Sequence, residues 1–268
     1  MTENTIPNPR DDISALFVPD GNDVVPTTFA VGPWRPDAVH GSAVAALFAA
    51  SLDEPGATVA RITMDLLGAV PLRPLQLTVT EVEGGRRVRR REALLQHGQR
   101  AVARAVALLV ADSADLDLPQ SDEFAALDPP PKDLSLLPAS RAGWAGFESQ
   151  SMALQTSREG SQTMVGWFRL LHPAIAGQSL TGLQMALAAA DYTSGGTAVV
   201  LPLKRWTFVS TDLTVNLARK PMGDWIGLKA RSRLGTTGIG IATSVLHDAA
   251  GGLGHCTQTQ FIEARRTQ

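Results

Sequence analysis

The 268-residue sequence contains a single cysteine, Cys256, and few histidines. One cysteine excludes an intrachain disulfide and a zinc site built on cysteines. The sequence also has no uninterrupted stretch of the about 20 apolar residues that a bilayer-spanning helix needs, so no membrane span is expected. The formal net charge is −2, which gives no reason to expect a nucleic-acid partner or an anionic membrane.

The remaining composition is that of a globular protein with one large or two smaller domains, since 44% of the residues are hydrophobic and 19% are charged. The polar, acidic first residues, MTENTIPNPRDD, do not form a secretory signal, and we expect the chain in the cytoplasm. His247 and His255 flank one predicted hairpin, but no carboxylate lies at ligand spacing, so no metal ion is expected.

The chain divides into two halves with the same order of elements. Residues 1–25 predict a flexible N-terminal lead, and residues 112–141, which are rich in Asp, Pro and Ser, predict a linker. Each half, 26–111 and 142–268, has a short extended stretch, an apolar helix and a meander of strands. The helices are predicted at 40–52 and within 179–195, and the strands that follow them at 59–70, 75–83, 86–96 and 99–111, and at 206–219, 225–233, 238–247 and 253–263. This order predicts an α+β double hotdog, in which two antiparallel sheets each wrap around a central helix.

The second helix, within SLTGLQMALAAADYTSG (179–195), has a carboxylate, Asp191, in its predicted last turn. Cations are favoured there, because the helix dipole is negative at its C-terminus. Burial and the dipole would both disfavour the charged carboxylate and so make Asp191 a stronger base than a free aspartate. The alternative is that Asp191 caps the following loop by accepting hydrogen bonds from the N–H groups of 192–195.

Several stretches of the sequence resemble the acyl-CoA thioesterase II-like family, in which two hotdog domains are fused. They are WRPDAVHGSAVAALFAA and ARITMDLLGAVPLRPLQLTV in the first half, and AAADYTSG, DLTVNLARKPMGDWIGLKARSRLGTTGIGIATSVLHD and GGLGHCTQTQF in the second. The resemblance covers about residues 25–265. It implies a water-activating trio: an Asp at the end of the second helix, a Ser or Thr on the next strand and a Gln on the last strand. By resemblance these roles fall on Asp191, Ser210 and Gln258.

Two of these assignments have alternatives. Strand alternation groups Thr211 with Val209 and Leu213 on what looks like the buried face, so Thr211 is the alternate hydroxyl, although the family register favours Ser210. An ungapped alignment would give the glutamine role to Thr259, and Gln260 is also near.

The start of the first helix, at His40, Gly41 and Ser42, is a second candidate part of the site. Free N–H groups at a helix N-terminus could polarise a thioester carbonyl, although His40 itself is typical of a capping or packing residue. An overlay of the two halves places Val106 at the position of Gln258, so only the second half has the trio. One polar site per chain is therefore expected.

The resemblance implies hydrolysis of an acyl-CoA to a free fatty acid and coenzyme A by direct attack of water. No cofactor is expected, because coenzyme A is part of the substrate. The alternatives are a non-catalytic acyl-CoA or lipid-binding protein on the same scaffold, and an enoyl-CoA hydratase that uses Asp37 and His40. Self-association into a homo-oligomer through sheet edges is a further expectation from the family.

Overall fold

The computed structural model describes residues 14–82, 84–113, 127–128, 130, 134–138 and 143–265. Its helices are α1 (Gly41–Leu52), α2 (Phe147–Gln150), α3 (Gly182–Ala190) and α4 (Gly195–Val200). The alanine-rich helices α1 and α3 pack against each other at the centre of the molecule, where almost all of their side chains are buried. Because alanine side chains are small, the two helices can pack closely.

Thirteen strands lie in the described residues. They are β1 (Phe17–Asp20), β2 (Asp23–Pro26), β3 (Ala57–Leu66), β4 (Leu75–Val82), β5 (Val88–His97), β6 (Arg100–Ala111), β7 (Met152–Glu159), β8 (Thr163–Leu170), β9 (Trp206–Ser210), β10 (Asp212–Leu217), β11 (Ile226–Leu234), β12 (Ile239–Asp248) and β13 (Gly251–Ala264). The strands up to β6 belong to the half around α1, and those from β7 onward to the half around α3.

The strands form one antiparallel sheet in the order β1-β2-β4-β5-β6-β3-β10-β13-β12-β11-β8-β7, with β9 paired to β13. The two half-sheets meet where β3 pairs with β10, from Asp65 opposite Asp212 to Arg61 opposite Asn216. The predicted double hotdog is confirmed. The difference is at this seam, where backbone hydrogen bonds join the two expected sheets into one.

The described part of the predicted flexible lead, residues 14–25, is ordered, which corrects that prediction. Its strands β1 and β2 form a hairpin, and Leu16 and Phe17 are fully buried. The Phe17 N–H also donates to the Ala174 carbonyl at 2.8 Å, so the hairpin is tied to the second half of the chain. Burial of these apolar side chains outweighs the polar character of the segment. Most of the predicted linker, 112–141, lies outside the described residues.

Among the described residues, no helix is both long and apolar enough to cross a membrane.

Candidate active site

Asp191 lies in the middle of a longer helical segment. A 3₁₀ turn over residues 191–194 follows α3 directly, and α4 continues to Val200. The helix was expected to stop near Gly195, so its end is corrected by about one and a half turns. The last turn of α3 therefore leads into further helical turns, and the backbone carbonyls near Asp191 are not a free helix C-terminus.

The Asp191 carboxylate accepts hydrogen bonds from two other elements of the fold. Gln258 on β13 donates from Nε2 to Oδ1 at 3.1 Å, and Ser42 on α1 donates from Oγ to Oδ2 at 3.1 Å. Within its own loop, the Asp191 backbone carbonyl accepts a hydrogen bond from the Ser194 hydroxyl. The geometry thus differs from the loop cap, since the carboxylate accepts from α1 in the first half and from β13 in its own half.

Gly41 is in direct contact with this carboxylate. A β-carbon on Gly41 would lie 2.7 Å from Oδ2 of Asp191, which is closer than real contacts allow. Gly41 is the first residue of α1, whose N-terminus is the positive end of the helix dipole and favours an anion. The N-terminus of α1 therefore acts on Asp191 in the opposite direction to the α3 dipole that the sequence analysis considered.

His40 caps α1 and packs beside the carboxylate. Its Nδ1 accepts the Ser42 N–H at 3.0 Å, and its ring stacks on Phe147 with centroids 4.7 Å apart. Burial lowers the pKa of His40, although Asp191 and Glu148 act in the opposite direction. Since Nδ1 accepts a hydrogen bond, the neutral ring has its proton on Nε2. The Nδ1 atom lies 3.6 Å from Oδ2 of Asp191, but two acceptors at that distance do not form an ion pair.

The three residues at the start of α1 differ in whether their backbone N–H groups already have a hydrogen-bond acceptor. His40 N–H donates to the Ala30 carbonyl at 2.8 Å, and Ser42 N–H is taken by the His40 ring. Gly41 N–H donates to no other described residue. Of the three predicted donors, only Gly41 therefore has an N–H available beside the carboxylate.

The strand predicted over 206–219 is interrupted by a β-bulge. Ser210 pairs with Gln260, whereas Thr214 pairs with Thr257. Four steps along this chain thus match three steps along β13, so one extra residue is inserted between β9 and β10.

The bulge decides which hydroxyl faces the site. Before it, Ser210 lies on the inner face of the sheet with buried Phe208, and after it the inner face is continued by Leu213. Thr211 is exposed, and its hydroxyl donates to the Thr259 carbonyl at 3.0 Å. The alternation that grouped Thr211 with the buried residues assumed an unbroken strand. The Ser210 hydroxyl makes no hydrogen bond with another described residue, and Ser210 is half-buried.

The alternatives to Gln258 on β13 point elsewhere. Thr259 is exposed on the outer face, where it bonds to Asp212. Gln260 is buried on the inner face, two residues beyond Gln258, and its Oε1 accepts from the Thr197 hydroxyl. Of these three residues, Gln258 is the one that contacts Asp191.

The first half of the chain has no matching glutamine at the equivalent place. Val106, which the overlay equated with Gln258, lies on the opposite face from buried Ala105 and Ala107, so the overlay is out of register by one residue. The inner-face equivalent is therefore one of these alanines. An open cleft of about 340 Å³ lies between the C-terminal end of α1 and the N-terminal end of α3, away from Asp191. The residues that line this cleft include Thr58 but no glutamine.

The other candidate residues do not join the site. The Asp37 carboxylate is exposed and held by Arg35 at 2.7 Å, a contact that lowers the pKa of Asp37. It is therefore not the partner of His40. Within the described residues, no three of the His, Cys, Asp and Glu side chains are grouped to hold a metal ion.

Sequence reasoning missed two contacts. Ser42 was considered only for its backbone, whereas its side chain bonds directly to Asp191. The close approach of Gly41 was also missed, although a glycine permits another group to come near the backbone. Neither signal could identify Asp191 as the neighbour, because the two segments lie in different halves of the chain.

Comparison with known protein families gives two matches that together cover most of the chain. Residues 30–110 match the acyl-CoA thioesterase N-terminal domain. Residues 121–262 match the acyl-CoA thioesterase C-terminal domain. A comparison with curated protein sequences finds no significant match.

Solved structures share the fold at low sequence identity. A protein from Thermobifida fusca, provisionally described as a thioesterase II, aligns with a TM-score of 0.73 at 14% identity, over 94% of this chain and 97% of that one. A hotdog-fold protein of unknown function from Alicyclobacillus acidocaldarius gives 0.69 at 16% identity, over 95% and 98%. An acyl-CoA thioesterase II from Mycobacterium marinum gives 0.63 at 14% identity, over 92% and 95%.

Proposed function

The chain belongs to the acyl-CoA thioesterase family and is a thioester hydrolase, and we propose that it hydrolyses acyl-CoA to a free fatty acid and coenzyme A, with Asp191 activating the attacking water. The observation that supports this most strongly is the contact of 3.1 Å between Gln258 Nε2 and Asp191 Oδ1, at the start of α1. It brings a base, an amide donor and a helix N-terminus to one place.

The attacking water is held by Asp191, Gln258 and Ser210 in this proposal. Each carboxylate oxygen can accept two hydrogen bonds, and Gln258 and Ser42 use one on each, so both oxygens can still accept from water. Ser210 is a diagonal neighbour of Gln258 across the β9–β13 pair. Such neighbours lie about 7–8 Å apart at Cα, which suits a bridging water better than a direct contact.

The oxyanion that forms on the thioester carbonyl is stabilised by the Gly41 N–H. This donor is available, and it lies at the positive end of α1. Removal of one oxyanion-hole donor costs about 10²–10³-fold in turnover in another acyl-transfer enzyme. The N–H groups of His40 and Ser42 are not free for this role, because the first donates to the Ala30 carbonyl and the second to Nδ1 of His40.

Proton transfer closes the reaction. Asp191 takes a proton from the water as its oxygen bonds to the thioester carbon, which gives a tetrahedral intermediate. The C–S bond then breaks, and Asp191 returns the proton to the leaving sulfur of coenzyme A. The products are the carboxylic acid and the free thiol, and no covalent bond forms between the enzyme and the acyl group.

The test is release of free thiol from acyl-CoA substrates of varied chain length. We expect turnover by the wild-type chain and a loss of about 10²–10⁴-fold in Asp191→Asn, the usual contribution of a general base. Asp53→Asn is the matched control, since Asp53 lies at the opposite end of α1. Unchanged turnover in Asp191→Asn would remove Asp191 from the mechanism.

Two further measurements separate the rival functions. Binding of a non-hydrolysable acyl-CoA analogue without any thioester turnover would indicate a non-catalytic binding protein. Hydration of crotonyl-CoA that is lost in His40→Ala would indicate a hydratase. Location in the cytoplasm and self-association into a homo-oligomer stay predictions.

A further inference from the structure

A second buried polar side chain, that of Gln260, lies two residues beyond Gln258 on β13. Gln260 is 1% exposed, and its Oε1 accepts from the Thr197 hydroxyl of α4. The Thr197 hydroxyl in turn bonds to the Ser232 hydroxyl of β11 at 2.6 Å. Gly240 is opposite Gln260 on β12, and a β-carbon there would lie 3.2 Å from Oε1. The glycine therefore leaves room for the glutamine side chain to lie across the neighbouring strand.

One end of the Gln260 amide is left without a partner. Its Nε2 is buried and donates to no other described residue. Reversing the amide would let Nε2 donate to Thr197 and would instead leave Oε1 unpaired, because Thr197 has a single hydroxyl. An unpaired buried polar atom is costly in a folded protein and is usually explained by a function or a bound group.

Gln260 is near the position proposed for the thioester. Gln258 and Gln260 are two residues apart on the same face of β13, which corresponds to about 6.6–6.8 Å along a strand. Half-buried Ser210 is directly opposite Gln260. Beyond this pair the inner face becomes apolar, with Phe208 and Ile262 packed together. An acyl chain running from the catalytic pair toward this apolar cluster would pass the Gln260 amide.

We propose that Gln260 is a specificity-determining residue that binds a hydroxyl group on the acyl chain of the substrate. This inference rests on the proposed function, because it uses the thioester position that Asp191 and Gln258 define. A hydroxyl both donates and accepts, so it satisfies either end of the amide. A charged substituent does not fit, since Thr197 and Ser232, which hold the glutamine, are neutral.

The experiment is calorimetric binding of thioether analogues of acyl-CoA to the full chain. The analogues share one chain length and have either no hydroxyl or a hydroxyl at successive carbons. We expect at least one hydroxylated analogue to bind about three- to tenfold more tightly than the plain one, the value of a single hydrogen bond. The preference is lost in Gln260→Met, which keeps the length but not the amide.

Two further variants complete the test. Thr257→Val, on the exposed outer face of the same strand, keeps the preference. Thr197→Val, which releases the anchored end of the glutamine, reduces it, and this variant decides the matter if Gln260→Met does not fold. Equal binding of all analogues by the wild-type chain, or a preference that survives both Gln260→Met and Thr197→Val, overturns the proposal.

Hydrolysis separates this inference from the proposed function. Turnover of the plain and hydroxylated thioesters at equal efficiency supports the thioesterase and contradicts the Gln260 subsite. A hydroxyl preference in binding without any turnover supports the subsite and contradicts the hydrolytic mechanism.

Discussion

Gly41 and Asp191 come from different halves of the chain and meet so closely that a β-carbon on Gly41 would displace the carboxylate. A β-carbon at position 41 would lie 2.7 Å from Oδ2 and 3.1 Å from Oδ1 of the carboxylate. Because Gly41 begins α1, the contact also places the carboxylate at the positive end of that helix. The site is therefore built by packing one hotdog against the other.

Replacement of Gly41 by alanine is expected to lower activity without lowering stability. Alanine is a better helix former than glycine by up to about 1 kcal/mol, so the thermal midpoint stays the same or rises. The new methyl group displaces the Asp191 carboxylate, and a misplacement of about 1 Å can cost about 10²-fold in turnover. Thermal unfolding and kcat for acyl-CoA hydrolysis, measured on one preparation, check this.

Gly85→Ala is the control, because a β-carbon there meets open space. It is expected to leave kcat unchanged. Full activity in Gly41→Ala would show that the carboxylate does not need its observed position.

Removal of the hydroxyl at Ser210 and at Thr211 is expected to have different effects on kcat. Ser210→Ala removes one of the groups that orient the water, and we expect kcat to fall about tenfold, the value of one hydrogen bond. Ser210→Thr keeps the hydroxyl and most of the activity. Thr211→Val leaves kcat unchanged, because Thr211 is exposed and bonds to the Thr259 carbonyl. A loss of activity in Thr211→Val but not in Ser210→Ala would reverse the assignment.

The bulge between β9 and β10 shows where sequence reasoning was limited. Apolar periodicity correctly predicted the strands on both sides, and the family register favoured Ser210. Periodicity alone favoured Thr211, since one inserted residue reverses the alternation and leaves no clear mark in composition. The bulge is visible only in the pairing with β13, which lies about 50 residues further along the chain.

The order of elements and the double hotdog were predictable because they depend on local pattern. The surroundings of Asp191 were not, since Gly41 and Ser42 are about 150 residues away in the sequence. The dipole argument was incomplete for the same reason, because the N-terminus of α1 that lies beside Asp191 belongs to the other half of the chain. The hairpin over 17–26 was also missed, because its burial depends on contacts with the other half.

Acid is expected to destabilise the fold through three histidines. Burial lowers the pKa of His40, His172 and His247. In the unfolded chain these rings take up protons near their ordinary pKa of about 6.5. In the folded chain they do so only at lower pH. Below about pH 6.5 the unfolded state therefore binds more protons, and the free energy of unfolding falls as the pH falls.

Urea unfolding at pH 7.5 and pH 5.5 measures this difference. We expect a smaller free energy of unfolding at pH 5.5, and a smaller dependence on pH in His172→Asn. Equal stability at the two pH values would contradict the buried, neutral state of these rings.

The role of Asp191 as a base is tested most directly by a single turnover in H₂¹⁸O, with the enzyme in excess over acyl-CoA. Direct attack by a water held at Asp191 places one ¹⁸O atom in the released fatty acid and none in the peptide that contains Asp191. An unlabelled fatty acid together with ¹⁸O in the Asp191 carboxylate would show that this residue attacks the thioester itself, and would contradict the account.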